Sequence, residues 1–228
     1  MPSYFVFIIS SRDDPLYEVF DSIRRKQLNA LGIPYKFLLN GVLPEGYVLK
    51  SDEELSPDGS YTPGMFLKFY YACKNLLGSA VLPSPDFIMR VNSSTYVDFS
   101  KVEKFLMGLP KNKCRAGYPL TFYCDNHRLF LAGTAMIFST DVINHLINDV
   151  SLEDPVIYNS PDDCSLSVVT DKYCDHILFN IKDNMEFFQE DTLDFSCIKP
   201  HSIFFRVKNT DREKNDVLVW ETLYCQNA

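Results

Sequence analysis

Asp162 and Asp163 stand side by side after Pro161, and one carboxylate of such a pair can take the proton from a hydroxyl as that hydroxyl attacks a substrate. The same two residues can equally cap a helix or turn the chain after the proline. Asn92, Ser93 and Ser94 directly follow the apolar run Asp86-Phe87-Ile88-Met89-Arg90-Val91. Their short neutral side chains suit hydrogen bonds to the hydroxyls of a polyol, and they are also ordinary β-turn residues. Arg90, near the end of that run, is placed either to clamp an anion or to pair with Asp86 or another acid. Gly133-Thr134-Ala135 sets small side chains where a ligand can approach backbone, or where strands pack tightly. Arg206 and Lys208, with Arg212 just beyond, form the one clear basic cluster, and Asp211, Glu213 and Asp216 are near enough to neutralise it. His201 is a lone histidine in Lys199-Pro200-His201-Ser202, a type that serves as a ligand or as a hydrogen-bonded surface residue.

These side chains work together only if the elements beneath them bring them to one place. Tyr4 to Ile9 is an unbroken aromatic and β-branched run that reads as a buried strand, ending in the polar Ser10-Ser11-Arg12. Leu16, Val19, Phe20, Ile23, Leu28 and Leu31 recur at helical spacing, with Pro15 in the first turn and Gly32 at the stop. A second strand follows over Tyr35 to Leu39. This strand, helix and strand open an α/β sheet, which takes its ligands at the carboxyl ends of its strands. The polar, acidic stretch Leu43 to Pro57 reads as a mobile loop, Tyr61 to Leu77 as a helix, and Asp86 to Val91 as a strand delivering Asn92 to Ser94 at its carboxyl end. Val102 to Leu109 predicts a helix and Cys114 to Tyr118 a strand; Leu129 to Ser139 leads into a helix through Ile147, capped by Ser139 or Thr140. Beyond Asp171 the pattern loosens, until a last strand over Ile203 to Lys208 and a short helix ending near Tyr224, anchored by Trp220.

Composition narrows the partners. At 228 residues with 46% hydrophobic side chains the chain can bury the core of one domain. Its 30 acidic against 22 basic residues disfavour a broad phosphate-backbone footprint, so nucleic acid is not expected as a main partner, while a local basic pocket for a small anion remains open. The cysteines contain no CxxC pair and no zinc spacing, and read as mostly reduced, buried thiols. The first apolar run is too short for a membrane span and lacks a basic leader, so a cytoplasmic location is expected. No phosphate loop of the GxxxxGK[ST] type occurs, which argues against a nucleotide hydrolase of other topology.

Taken in order, three segments resemble a glycosyltransferase of the GT-A fold, and most of all the β-1,3-glycosyltransferases that include the Fringe proteins. Asp86 to Val97 resembles the strand that ends in the aspartates of the DxD motif, Leu131 to Ser139 the Gly-rich strand leading into a serine-capped helix, and Pro161 to Ser165 the acidic pair that supplies the catalytic base. Upstream, Asp58-Gly59-Ser60-Tyr61 with Lys68 resembles the preceding helix, so the likeness spans roughly residues 4 to 208. It implies a single GT-A-like (Rossmann-like) α/β domain with a mixed, mostly parallel sheet flanked by helices, its nucleotide half in about residues 1–100 and its acceptor half in about 101–228. The implied activity is inverting transfer of a sugar from a nucleotide-sugar donor, most of all a UDP-sugar, to a hydroxyl of a glycan or glycoprotein.

The likeness also assigns roles. Asp163 is the general base with Asp162 beside it; Ser10, Ser11 and Arg12 border base and ribose; Asn92, Ser93 and Ser94 meet ribose and donor sugar. Lys68, Arg90 and Arg12 neutralise the diphosphate, Arg206 and Lys208 face it from the carboxyl-terminal side, and Gly133 and Thr134 let the sugar approach. Tyr61, Tyr118 and Tyr123 are expected to border the cleft. The departure is that Asn92, Ser93 and Ser94 occupy the positions whose carboxylates hold Mn²⁺ or Mg²⁺ in the family. Neutral oxygens alone bind a hard cation weakly, so the metal has either changed ligands, with Asp98 and His201 as the substitutes, or gone. The Asn-Ser-Ser variant resembles the soluble, unanchored glycosyltransferases of large DNA viruses and microbes, and for a viral protein the expected location is the host cytoplasm. The rival reading is a scaffold without catalysis that holds a sugar or a partner protein.

Overall fold

The computed structural model describes residues 1–13, 15–39, 43–56, 60–79, 84–121, 129–178, 180–190 and 193–227. Strand β1 (Tyr4–Ile9), helix α1 (Pro15–Leu31) and strand β2 (Tyr35–Leu39) form the expected opening. Short strand β3 (Glu53–Leu55), helix α2 (Gly64–Gly78), strand β4 (Phe87–Asn92), the two-residue strand β5 (Tyr96–Val97) and helix α3 (Phe99–Leu106) follow. The second half runs β6 (Cys114–Thr121), β7 (Leu129–Ser139), α4 (Thr140–Asn148), α5 (Pro155–Asn159), α6 (Asp162–Asp171), β8 (His176–Leu178), β9 (Met185–Phe188), β10 (Phe204–Val207) and α7 (Arg212–Asn227).

Seven strands make one sheet in the order β3-β2-β1-β4-β7-β6-β8. All run in the same direction except β7, which is antiparallel to both its neighbours. The molecule is a single mixed α/β domain with helices on both faces of a mostly parallel sheet. That explains the sequence of β1: covered on both faces, it cannot alternate with polar residues. Tyr4, Val6 and Ile8 enter one apolar cluster, which includes Leu28, Val102 and Leu106 from α1 and α3. Phe5, Phe7 and Ile9 enter the other, which includes residues of α2, α4 and α6. A small second sheet, β5-β10-β9, with α7 behind it, builds a third cluster on α1. Its centre is Trp220, stacked on Phe20 with ring centroids 4.8 Å apart, the anchor that the sequence suggests.

Several expectations change. The stretch expected as a mobile loop contains β3, which pairs in parallel with β2 and buries the Glu53 carboxyl group. A buried glutamate among polar neighbours gives no apolar alternation to read; Pro57, at the end of the stretch, lies outside the described residues. Helix α2 begins at Gly64 rather than at Tyr61. The charged run after Asn209 enters α7 rather than a loop, and β5, α5, β8 and β9 are too short or too mixed to carry a period. Of the described thiols, Cys73, Cys114 and Cys164 are buried, Cys174 is half-buried and Cys225 is exposed. Among the described residues no helix is long and apolar enough to cross a membrane.

Candidate active site

Parallel pairing of β1 with β4 sets Ile9 beside Asn92, so the carboxyl ends of both strands arrive together. The backbone N–H of Ser93 donates to the Ile9 carbonyl at 2.9 Å, which continues the ladder into the turn. A cavity of about 360 Å³ opens there, lined by Ser10, Ser11, Asn92, Ser93 and Ser94, by Tyr17 of α1, by Ser60, Tyr61 and Met65 at the start of α2, and by Arg206 of β10. This is the crevice at strand ends that the α/β fold predicts.

Helix α1 supplies the floor, through residues the sequence did not single out. The Asp21 carboxylate is fully buried and accepts from Ser10 Oγ at 2.6 Å, Ser93 Oγ at 2.8 Å and Arg12 Nη1 at 2.8 Å. It thereby ties the ends of β1 and β4 to each other. One turn on, Arg24 donates to the carbonyls of Ser93 (3.3 Å) and Thr95, with its guanidinium 4.7 Å from the Trp220 ring. Complete burial pushes the Arg24 guanidinium down to about 10, against the pull of Asp21. Arg12 must be corrected as a diphosphate ligand. Its guanidinium is buried and spans Asp21 and Glu53 (2.7 Å), with Nε on the Tyr47 hydroxyl at 2.8 Å. Those pairings leave it structural, and it does not line the cavity.

On β4, Arg90 and Asn92 are two residues apart and share the sheet face that meets α2 and α6. Arg90 is 1% exposed. It donates to the Gly133 carbonyl at 2.9 Å and to the Asp162 carboxylate in the first turn of α6. At the other end of α6, buried Arg115 of β6 holds the Ser167 carbonyl, Thr170 Oγ1 and Asp171. Two guanidiniums thus fasten α6 to the sheet at its first and last turns, which fixes Asp163 between them. Arg90 is therefore partnered by an acid, as one of its two readings held, and the acid is Asp162 rather than Asp86.

Asp163 sits in the first turn of α6, where a helix terminus favours a negative charge. Its Oδ2 accepts from the Gly133 N–H at 2.9 Å and its Oδ1 from the Cys164 N–H at 2.9 Å. Burial, and then the charge of Asp162, nevertheless raise its pKa above the ordinary carboxylate value. The pair is joined to the cavity by Tyr61, which lines it. Although the Tyr61 side chain is mostly exposed, desolvation of its hydroxyl and the nearby charges of Asp162 and Asp163 push the phenol up. Helix capping and site formation are compatible here: both acids belong to one helix start, and they bond Arg90 of β4 and Gly133 of β7.

Gly133 is needed for this approach. A Cβ there would lie 2.8 Å from Arg90 Nη1 and 3.5 Å from Asp163 Cβ. Gly133→Ala is expected to cost about 1–3 kcal/mol, the usual range for overpacking a tight interior, and to shift Asp163. Chemical denaturation checks the first effect and the rate of any transfer the second. On β7, Val91 pairs with Ala135, which sets Thr134 next to Asn92. Thr134 is 8% exposed. Its Oγ1 and Asn92 Oδ1 are both buried without a hydrogen-bond partner. Such atoms are rare because each carries an uncompensated desolvation cost, and here two lie side by side at the edge of the cleft.

The remaining candidates divide. Lys68 of α2 is buried, with Nζ 3.4 Å from the Ser10 carbonyl; burial and then Arg90 bring its pKa down to about 7. Arg206 lines the cavity and donates from Nη1 to Thr95 Oγ1 at 3.1 Å. Lys208, one residue past β10, is exposed and outside the cavity lining. Tyr118 packs on Phe187, while Tyr123, Asp58, Gly59 and the Arg212 side chain lie outside the described residues.

The residues present do not fit a divalent cation. Among the described residues there is no group of three or more His, Cys, Asp or Glu side chains that could hold one. Asp98 is buried at the start of α3, accepting from Ser100 and paired with Lys101 at 3.0 Å. His201 lines a separate cavity with Lys101 and Lys104, whose ammonium groups are poor company for a metal ion. The structure thus removes both substitute ligands from the cleft. A larger cavity of about 740 Å³ lies by the amino-terminal halves of β1 and β2. Its charged groups pair among themselves, Arg25 with Asp52 at 2.6 Å and Lys36 with Glu54 at 3.2 Å, so it lacks the unmet polar atoms of the smaller cleft.

No known family profile matches the sequence, and no curated protein is similar to it in sequence. Solved structures are similar in shape. A glycosyltransferase involved in the glycosylation of the major capsid of PBCV-1 superposes with a TM-score of 0.59 at 10% identity, over 97% of this chain and 100% of that one. The chain has a glycosyltransferase fold. The catalytic domain of Drosophila β1,4-galactosyltransferase 7, solved with xylobiose, matches with a TM-score of 0.44 at 8% identity, over 77% of this chain and 64% of that one. In the glycosyltransferase fold of this chain, the cleft described above lies at the carboxyl ends of β1 and β4, with Tyr17 of α1, Met65 of α2 and Arg206 of β10 in its walls.

Proposed function

We propose that the protein transfers a sugar from a nucleotide-sugar donor, a UDP-sugar by its resemblance, to a hydroxyl of a glycan or glycoprotein, with inversion at the anomeric carbon. The acceptor oxygen forms a bond to that carbon, the carbon–oxygen bond to the diphosphate breaks with its electron pair on the departing oxygen, and the hydroxyl proton passes to Asp163. A raised pKa suits a base that must accept a proton rather than stay permanently ionised. The observation that supports this reading is that Tyr61 and Asn92, with its unpaired Oδ1, line one cleft, while Thr134, with its unpaired Oγ1, lies across the ladder from Asn92 and Asp163 bonds the next residue, Gly133. A polyol is the ligand class that satisfies neutral, closely spaced oxygens.

Thermal denaturation with a panel of nucleotide sugars tests it. One donor present at about 100 times its Kd is expected to add about 2.7 kcal/mol, or roughly 5–10 °C in Tm for a domain of this size. The same donor should hydrolyse slowly when no acceptor is present. A panel that moves Tm nowhere contradicts the proposal. The lack of a metal-binding group of carboxylates among the described residues favours a second reading, a binding module on a glycosyltransferase scaffold; a Tm shift without any hydrolysis or transfer would select it.

A further inference from the structure

We infer that the cleft binds its nucleoside diphosphate without a divalent cation, and that Arg206 is the side chain that meets the diphosphate. The inference rests on the donor reading above and adds how the donor's charge is balanced. Hard cations draw most of their binding from carboxylates; among the described residues Asp13, exposed beside the cleft, accepts from Ser11 Oγ at 2.8 Å, and the buried carboxylates already serve other groups. Asp21 is fully buried under the floor with three donors on it, Ser10, Ser93 and Arg12. Asp162 holds Arg90, Asp163 takes two backbone N–H groups, and Glu53 holds Arg12 and Arg25. Recruiting any of them to a metal would leave a buried guanidinium or N–H unpaired, at a cost of several kcal/mol.

Positive charge is present instead. Arg206 reaches the cavity from β10, fixed by its bond to Thr95 Oγ1, on the wall next to Ser93 and Ser94. A guanidinium in this position offers the planar pair of N–H donors that matches phosphate oxygens. Lys68 stands behind Ser10, near the same strand ends. Burial brings its pKa down to about 7, so an arriving anion favours its charged form. Arg206 then meets the diphosphate directly, and Lys68, outside the cavity lining, adds positive charge from behind Ser10. The departing diphosphate is stabilised by fixed donors, the role that preorganised charge plays at other leaving groups.

Calorimetric titration of the wild-type chain with UDP, GDP and dTDP, in EDTA and in Mn²⁺, tests this, with Arg206→Gln and Arg206→Lys in parallel and the Tm of each variant recorded. At least one nucleotide should bind with the same Kd, within about twofold, in both buffers. Losing one charge-assisted contact of about 1.5–3 kcal/mol should weaken that binding by about tenfold or more in Arg206→Gln. Arg206→Lys should recover part of it at unchanged Tm. Binding that is at least about tenfold weaker in EDTA than in Mn²⁺, or an Arg206→Gln variant that folds and binds as wild type does, overturns the inference and leaves the donor reading standing. No binding of any nucleotide in either buffer overturns the donor reading itself.

Discussion

Asp163→Asn is expected to slow sugar transfer by about 10²–10⁴-fold, the range for a general base, while the Kd for the nucleotide stays within about twofold of wild type. The carboxylate accepts the N–H groups of Gly133 and Cys164, one on each oxygen, so the isosteric amide keeps the shape and one of the two acceptors, with some loss of stability that the Tm of the variant records, while removing the proton acceptor. Kinetics of transfer and calorimetry on the same variant separate the two effects; undiminished turnover contradicts the assignment. The pH profile follows from the same geometry. Because burial and Asp162 raise the Asp163 pKa, the acidic limb of kcat/KM should lie above the ordinary carboxylate range, with the rate rising as Asp163 loses its proton. The linked effect on stability has the opposite sense. A raised folded-state value favours the folded protein at pH below the unfolded carboxylate pKa, and that contribution is lost as pH rises through the folded value. Asp162 differs, since its carboxylate is the partner of buried Arg90. Its loss should show first in stability.

The second large effect concerns Asp21. Asp21→Ala should cost about 3–5 kcal/mol, the range for removing one partner of a buried ion pair. It strips the buried Arg12 of one of its two acidic partners and leaves the Ser10 and Ser93 hydroxyls without their acceptor. The same change releases the ends of β1 and β4 from each other, so nucleotide affinity should fall in whatever fraction remains folded. Asp21→Asn keeps the shape and one acceptor and should cost less than Asp21→Ala. Urea denaturation of both variants measures this. A loss below about 1 kcal/mol for Asp21→Ala, the range of an exposed pair, would mean that the network does not hold the cleft together.

Much of this arrangement was legible from sequence because it follows from unbroken apolar runs. β1 and β4 are central strands covered on both faces, so Tyr4 to Ile9 and Phe87 to Val91 announce themselves, and the polar residues after each mark where a ligand site belongs. The order of segments around Asn92, Gly133 and Asp163 pointed to the glycosyltransferase fold. What stayed hidden was tertiary. Asp21 and Arg24 fall among the charged residues of an amphipathic helix, where such side chains are usually solvated; only their partners near residue 93 show them to be buried. Arg12 looked like an anion ligand because its acids, Asp21 and Glu53, stand 9 and 41 positions away. β3 was missed for the same reason, since its central role is to deliver a buried glutamate rather than an apolar face. His201 and Asp98 drew attention by residue type alone, and the fold carries both away from Asn92.

The most direct measurement is a crystal structure of the protein with a non-hydrolysable UDP-sugar. The account predicts the diphosphate against Arg206, the sugar over Asn92 and Thr134, and the anomeric carbon open to an acceptor oxygen that also reaches the Asp163 carboxylate. A nucleotide seated in the larger cavity beside Phe5 and Asp52, or a sugar turned away from α6, would contradict it.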